Sequence, residues 1–158
     1  MNWTSWLIWG FGATIVLTTL MSGSQAVGLT RMNIPYMLGT MFTPNRDRAK
    51  VIGILVHIVN GWLFALVYVT AFEVWGAASW WLGALIGAVH ACFVLGVGLP
   101  ALPAFHPRMA SEYQGPTVVR QLEPPGFMAL HYGVRTPLSV VLAHIVFGVI
   151  LGTFYALR

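Results

Sequence analysis

Residues 51–72 read VIGILVHIVNGWLFALVYVTAF, a run of 22 residues without one charged side chain. Three more uncharged runs cover residues 1–30, 74–107 and 136–157 of the 158-residue chain. An α-helix needs about 20 consecutive apolar residues to cross the hydrocarbon layer of a membrane. The four runs therefore predict an all-α integral membrane protein that folds as a four-helix bundle. We expect the spans at residues 3–22, 51–72, 80–100 and 138–156.

The composition agrees with a membrane protein and narrows the function classes. Hydrophobic residues make up 58% of the chain and charged residues only 8%, against about 25% charged in soluble domains. The basic residues flank the spans and form no stripe with interleaved aromatics, so a nucleic-acid partner is not expected. A single cysteine, Cys92, excludes an intrachain disulfide and a multi-cysteine metal centre. Common nucleotide-binding, zinc-protease and serine-hydrolase motifs are absent, which favours a non-catalytic protein.

The basic residues also predict the orientation of the chain. The loops after the first and third spans hold seven Lys and Arg residues, whereas the other side holds only Arg158. Positively charged loops stay on the cytoplasmic side. We therefore expect a protein of the bacterial inner membrane with both termini on the periplasmic side. The seven residues are Arg31, Arg46, Arg48, Lys50, Arg108, Arg120 and Arg135.

Two Thr-Pro pairs and two connectors complete the outline. Thr43-Pro44 and Thr136-Pro137 each place a capping residue before a proline suited to the first helical position, so both predict helix starts. Residues 31–42 are too short to cross and predict an interfacial helix. The connector over 104–137 is long for a loop, which indicates a segment that faces a partner. Its candidate contact residues are His106, Arg108, Met109, Arg120 and His131.

The second and fourth spans resemble each other. Residues 57–68 read HIVNGWLFALVY and residues 144–155 read HIVFGVILGTFY, with His, Ile, Val, Gly and Tyr at matching positions. The sequence therefore predicts two copies of a two-span unit, about 1–72 and 79–158. Two spans per unit keep the copies parallel, so we expect a pseudo-two-fold axis along the membrane normal.

Three histidines lie inside the predicted spans, and ionisable residues in a membrane are functional candidates. His57, His90 and His144 each share a helix face with glycines, which let helix backbones approach closely. We therefore expect the histidines to point into the bundle. The predicted helix-packing residues are Gly53, Gly61, Gly83, Gly87, Gly148, Gly152 and Asn60.

Three interpretations of the histidines stay open. Each can be a neutral imidazole that joins helices by hydrogen bonds. His57 and His144, at matched depth on similar helices, can instead ligate a haem b between them, with His90 as a further candidate. The third interpretation is a small transporter with a path along all three, although no span holds the carboxylate that proton relays usually include. No metal site other than haem is predicted.

Arg31-Met32-Asn33-Ile34-Pro35-Tyr36-Met37-Leu38-Gly39, the His57–Gly61 pair and His106-Pro107-Arg108-Met109 make the chain resemble a family of small, uncharacterised four-span bacterial membrane proteins. The resemblance covers most of the chain. It implies the four-span fold and assigns no chemistry. The leading functional expectation is therefore an accessory or scaffold subunit of a larger membrane complex, of respiratory or photosynthetic type. Its partners would be membrane lipid and other integral-membrane subunits or further copies of itself.

Overall fold

A computed structural model describes residues 1–158, and its regular secondary structure is helical, without strands. Four helices are long and apolar enough to cross a membrane, so the protein is a membrane protein of the all-α class. The first span is α1 (Trp3–Ala26), and a short helix, α2 (Ile34–Thr40), follows it. The second span is α3 (Arg46–Trp75). The third comprises α4 (Trp80–Phe93), a π-helical segment (Val94–Gly98) and α5 (Leu99–Phe105), and the fourth is α6 (Thr136–Phe154).

Neither Thr-Pro pair caps a helix with its threonine, which corrects the predicted starts. Asn45 is the N-cap of α3, and its side chain accepts a hydrogen bond from the Arg48 amide. The Thr43 hydroxyl instead accepts a hydrogen bond from the Asn45 amide, so it belongs to the turn before the helix. Thr136 is the first residue of α6, and its hydroxyl pairs with the Thr30 hydroxyl at 2.7 Å. Both prolines still stop any helix from extending backwards, because they lack an amide hydrogen.

The helices alternate in direction, so the molecule has two distinct ends. At one, here named the turn end, the terminal amine of Met1 lies 3.5 Å from Glu73 at the end of α3. The Tyr155 hydroxyl beyond α6 donates to the same carboxylate at 2.6 Å. The turn between the second and third spans lies here too, and Gly76 ends α3 in the left-handed conformation that glycine favours. The other end, the connector end, carries α2 and residues 106–135.

The fourth span is the centre of the bundle. α6 packs along α4 on one side and along α1 on the other, and α1 packs on α3. α2 lies against the start of α3, where Gly39 and Gly53 permit backbone contact between them. α3 and α4 are joined by the turn yet do not pack backbone to backbone. Three of the four pairs of neighbouring spans are therefore in close backbone contact, and the pair α3–α4 is not.

A π-helical segment interrupts the third span. At its end the Leu99 amide bonds to the Val94 carbonyl, five residues back. Pro100 and Pro103 follow, and each removes an amide that an α-helix would use. π-helical turns occur mostly as single insertions in α-helices and are frequent at functional sites. The third span thus runs to Phe105, past its predicted end at residue 100.

Candidate functional site

The three intramembrane histidines converge on one cavity. His57 on α3, His90 on α4 and His144 on α6 all line a cavity of about 220 Å³ in the connector half of the bundle. Most of its wall is apolar, and Asn60 and Thr14 add polar groups. α2 contributes the floor through Ile34, Met37 and Leu38. An apolar cavity with a few convergent polar groups is the usual form of a small-molecule site.

Hydrogen bonds fix the orientation of two of the histidines. The Nδ1–H of His144 donates to the Val140 carbonyl oxygen at 2.8 Å, since a carbonyl can only accept. In the neutral ring, Nε2 of His144 is therefore an acceptor. The Nδ1 of His90 is hydrogen-bonded to the Tyr68 hydroxyl at 3.0 Å. The His90 and His144 rings meet edge to face with their centroids 4.7 Å apart.

Several polar atoms around the cavity have no partner within the protein. Nε2 of His90 is buried without a hydrogen bond. The side chains of His57 and Asn60 form no hydrogen bond within the protein, because the other polar groups of the spans bond elsewhere. Thr14 does not supply one, because its hydroxyl donates to the Gly10 carbonyl at 2.7 Å. Among the atoms around the cavity, Nε2 of His90 is the fully buried one, and a buried polar atom without a partner costs about 1–3 kcal/mol.

The cavity opens sideways between α3 and α4. Phe64 on α3 is 37% exposed and Phe93 on α4 is 50% exposed, and both also line the cavity. Phe64 packs against His90 with ring centroids 4.3 Å apart and the ring planes tilted by 33°, and so bridges the two helices. Because both helices belong to apolar spans, this opening faces the hydrocarbon and not water.

The residues present do not fit a haem between His57 and His144. A bis-histidine haem needs room for a porphyrin between its two ligands. His144 is instead in ring contact with His90. The cavity of about 220 Å³ is also smaller than the roughly 300–1,000 Å³ that pockets for drug-sized ligands have. No three His, Cys, Asp or Glu side chains lie close enough together to hold a metal ion.

The histidines also do not form a path from one end to the other. All three lie around the same cavity, and the interior toward the turn end is filled by buried side chains. These are Tyr68, Phe72, Phe147 and Leu151. The arrangement is therefore a dead-end cavity with a lateral opening.

The predicted packing glycines divide between three interfaces. A Cβ at Gly83 or Gly87 would overlap the backbone of α6, and a Cβ at Gly148 or Gly152 would overlap the backbone around α4. Gly61 faces Thr14 of α1 instead. Gly53 faces α2 and not another span, while Asn60 lines the cavity.

Four of the five candidate contact residues of the connector are buried or half-buried. His106 and Met109 are 0% exposed. The Arg108 guanidinium donates to the Thr40 carbonyl at 2.6 Å, and that of Arg120 donates to the His106 carbonyl at 3.2 Å. These residues stabilise the connector itself. His131 alone is substantially exposed, at 48% of its side chain.

His106 joins the connector to α2. Its Nε2–H donates to the Met37 carbonyl at 2.9 Å, and its Nδ1 accepts from the Arg108 amide at 3.1 Å. Both ring nitrogens are thus satisfied in the neutral form. Burial lowers the pKa of His106, and the charges of Arg108 and Arg120 lower it further, against the opposing effect of the Met37 carbonyl. The ring therefore holds the cavity floor in place as a neutral group.

The spacing of His57, Phe64 and Tyr68 places them on one face of the second span, since Tyr68 follows His57 by eleven residues, about three helical turns. Sequence analysis did not predict that Phe64 and Tyr68 reach across to His90 of α4. The π-helical segment had a signal in Gly96, Gly98, Pro100 and Pro103.

No protein-family model matches the chain, and no curated protein or solved structure is significantly similar to it. The resemblance to four-span bacterial proteins stays a hypothesis.

Proposed function

We propose that this protein is a non-catalytic integral-membrane protein that binds a small lipophilic molecule between its spans. The observation that carries the proposal is the cavity shared by His57, His90 and His144, which opens to the hydrocarbon between α3 and α4. A ligand that dissolves in the membrane reaches such a site without crossing water.

The unpaired polar groups around the cavity favour a binding function. Unpaired polar groups at membrane depth are expensive, and a bundle that only needed stable packing would replace them by apolar residues. Val94 and Gly98 line the cavity and belong to the π-helical segment, so the third span departs from α-helical geometry beside the site. Both features fit a binding protein better than a structural bundle.

A filled cavity tests this function. Val94 lines the cavity, whereas Val97, three residues later, is 54% exposed and does not. Val94→Phe should therefore occupy the ligand space, and Val97→Phe is the matched control. We expect native mass spectra of the protein, extracted with its own lipids, to show a bound small molecule in the wild type and Val97→Phe. The Val94→Phe protein should lack it. A wild-type spectrum that shows only the mass of the protein chain would contradict the proposal. Equal ligand occupancy in the wild type and both variants would contradict it too.

We propose, as a second role, that the protein is an accessory subunit of a larger membrane complex. Tyr113 is 98% exposed and Val118 is 91% exposed on the connector, although its neighbours are tied down by arginine hydrogen bonds. Large exposed side chains on an ordered segment favour a partner there. In blue native electrophoresis we expect a species larger than the monomer, reduced in size by Tyr113→Ser with Val118→Ser. A wild-type protein that migrates as a monomer would contradict this role.

We also propose that the chain consists of two parallel two-span copies, about 1–72 and 79–158. A reciprocal pair of arginine bonds supports this arrangement. Arg31 of the first copy donates to the His131 carbonyl in the second, and Arg108 of the second donates to the Thr40 carbonyl in the first. Thr40 is the last residue of α2, and His131 lies in a short 3₁₀-helical segment, Phe127–Tyr132, that precedes α6.

The charges support an orientation in the bacterial inner membrane with the connector end in the cytoplasm. Seven of the eight Lys and Arg residues belong to that end, and Arg158 belongs to the other. Cysteine introduced at Ala156 should then react with a membrane-impermeant maleimide in intact cells, whereas cysteine at Arg46 should not. The reverse pattern would invert the orientation.

A further inference from the structure

The hydrogen-bond direction at His144 restricts what the cavity can hold. We propose that the ligand is a lipophilic hydroxyl compound whose O–H donates to Nε2 of His144. The proposal rests on the binding function above and names the chemical class of its ligand. It follows from the donors and acceptors that the cavity leaves unused.

The first step is the fixed acceptor. His144 uses its only N–H on the Val140 carbonyl, so the neutral ring presents a lone pair at Nε2. The His144 side chain lines the cavity, and this nitrogen has no protein partner. A ligand must donate a proton to satisfy it. Ketones, quinones, esters and ethers have only acceptors and would leave it unpaired.

The second step is the neighbouring donor. His57 lines the same cavity and, as a neutral imidazole, carries one N–H, while the Asn60 amide carries two. A group that donates to His144 and also accepts from one of these pairs two of the unpaired groups. A hydroxyl is the smallest group that can both donate and accept. An ammonium group donates but cannot accept, and it would bring an unpaired charge into an apolar site.

The third step is size and shape. A dry cavity of about 150 Å³ holds benzene, so about 220 Å³ has room for one substituted ring. Phe64, Phe93 and Phe147 line the cavity together with the imidazoles, and aromatic walls favour a ring that can stack. The opening between α3 and α4 lets an apolar tail extend into the lipid. The occupant is therefore a ring-sized hydroxyl head with a hydrocarbon tail.

A pair of probes isolates the hydroxyl. Binding of 4-butylphenol and of its methyl ether, 4-butylanisole, is measured by titration calorimetry to the full chain in lipid nanodiscs, with protein-free nanodiscs subtracted. We expect the phenol to bind at least about tenfold more tightly than the ether, because the ether leaves His144 unpaired. 4-Butylcyclohexanol then distinguishes the source of the hydroxyl. A phenolic ligand predicts weaker binding of the cyclohexanol, and equal binding would indicate an aliphatic alcohol.

His144→Phe should remove the preference for the phenol over the ether. His131→Phe is the matched control, because His131 lies in the connector and does not line the cavity. Equal binding of phenol and ether to the wild type, abolished by Val94→Phe, would overturn the hydroxyl requirement and leave the binding function intact. Absence of saturable binding of all three probes, together with a bare native mass, would overturn both. The wild-type ratio decides the matter even if His144→Phe fails to fold.

Discussion

α4 has two neighbours, and it meets them in opposite ways. Against α6 it presents Gly83, which faces Gly148 and Gly152, and Gly87, which faces the backbone of His144 and Ile145, so that the two helix backbones touch. Against α3 it presents His90 and Phe93, and the side chains hold the backbones apart. The same helix thus forms a closed seam on one face and an open cleft on the other.

The difference shows how this small bundle combines rigidity with a cavity. Without a hydrophobic driving force in lipid, helices associate through close packing, and the glycine seam supplies it. The fixed pair α4–α6 then positions His90 and His144 beside each other. The cleft needs no backbone contact of its own, because Phe64 and Tyr68 reach across to His90.

The largest expected effect comes from breaking the seam. A Cβ at Gly148 would overlap the Gly83 carbonyl oxygen, which cannot move without shifting a helix. We expect Gly148→Ala to destabilise the protein by about 3 kcal/mol or more, at the upper end of overpacking effects. Gly12→Ala is the matched control, because nothing lies near a Cβ there. Thermal unfolding in detergent measures both, and equal midpoints would contradict a close-packed seam.

A smaller effect is expected at the floor of the cleft. Arg108 holds the end of α2 through the Thr40 and Met41 carbonyls. Hydrogen bonds from a charged group contribute about 1.5–3 kcal/mol, so Arg108→Ala should reduce amide-exchange protection of α2 by about that amount. Arg31→Ala should have less effect on α2, because the Arg31 guanidinium bonds to Glu123 and to the His131 carbonyl and makes no bond to α2. Equal losses would show that α2 does not depend on Arg108.

The pH dependence of the floor is a third test. Burial lowers the pKa of His106 below its ordinary value of 6.5, so the unfolded chain binds the proton more tightly than the folded protein. Stability should therefore fall as the pH drops below about 6.5. His106→Gln should flatten this fall relative to the wild type, because every other histidine is common to both. Midpoints of thermal unfolding between pH 7.5 and 5 give the two slopes, and parallel curves would be inconsistent with a buried neutral His106.

The smallest effect is expected for the bridge across the cleft. Tyr68→Phe removes the hydrogen bond to Nδ1 of His90 and keeps the ring in place. Hydrogen bonds between membrane helices contribute about 0.6 kcal/mol on average, so stability should change little. The nitrogen-15 chemical shifts of the His90 ring should nevertheless change, since its only partner is lost. Unchanged shifts would mean that the two side chains do not bond.

The sequence was sufficient for the spans because uncharged length alone decides whether a helix can cross a membrane. It was also sufficient to single out His57, His90 and His144, since ionisable residues are rare in such helices. The open cleft could not be predicted, because glycines and histidines share the same faces in all three helices. Which neighbour each face meets depends on the order of helices in the bundle, and no local pattern encodes that order. The burial of His106 and Met109 could not be predicted for the same reason, since the residues that they contact are distant in sequence.

The open cleft itself is tested most directly by photolabelling in the membrane. A membrane-soluble alkyl alcohol carrying a diazirine is irradiated with the wild type, Val94→Phe and Val97→Phe, and the adducts are mapped by mass spectrometry. The lateral cavity predicts adducts concentrated on its lining residues, among them Phe64 and Phe93, in the wild type and Val97→Phe and their loss in Val94→Phe. Labels spread evenly over the exposed apolar surface, unchanged by Val94→Phe, would contradict the account.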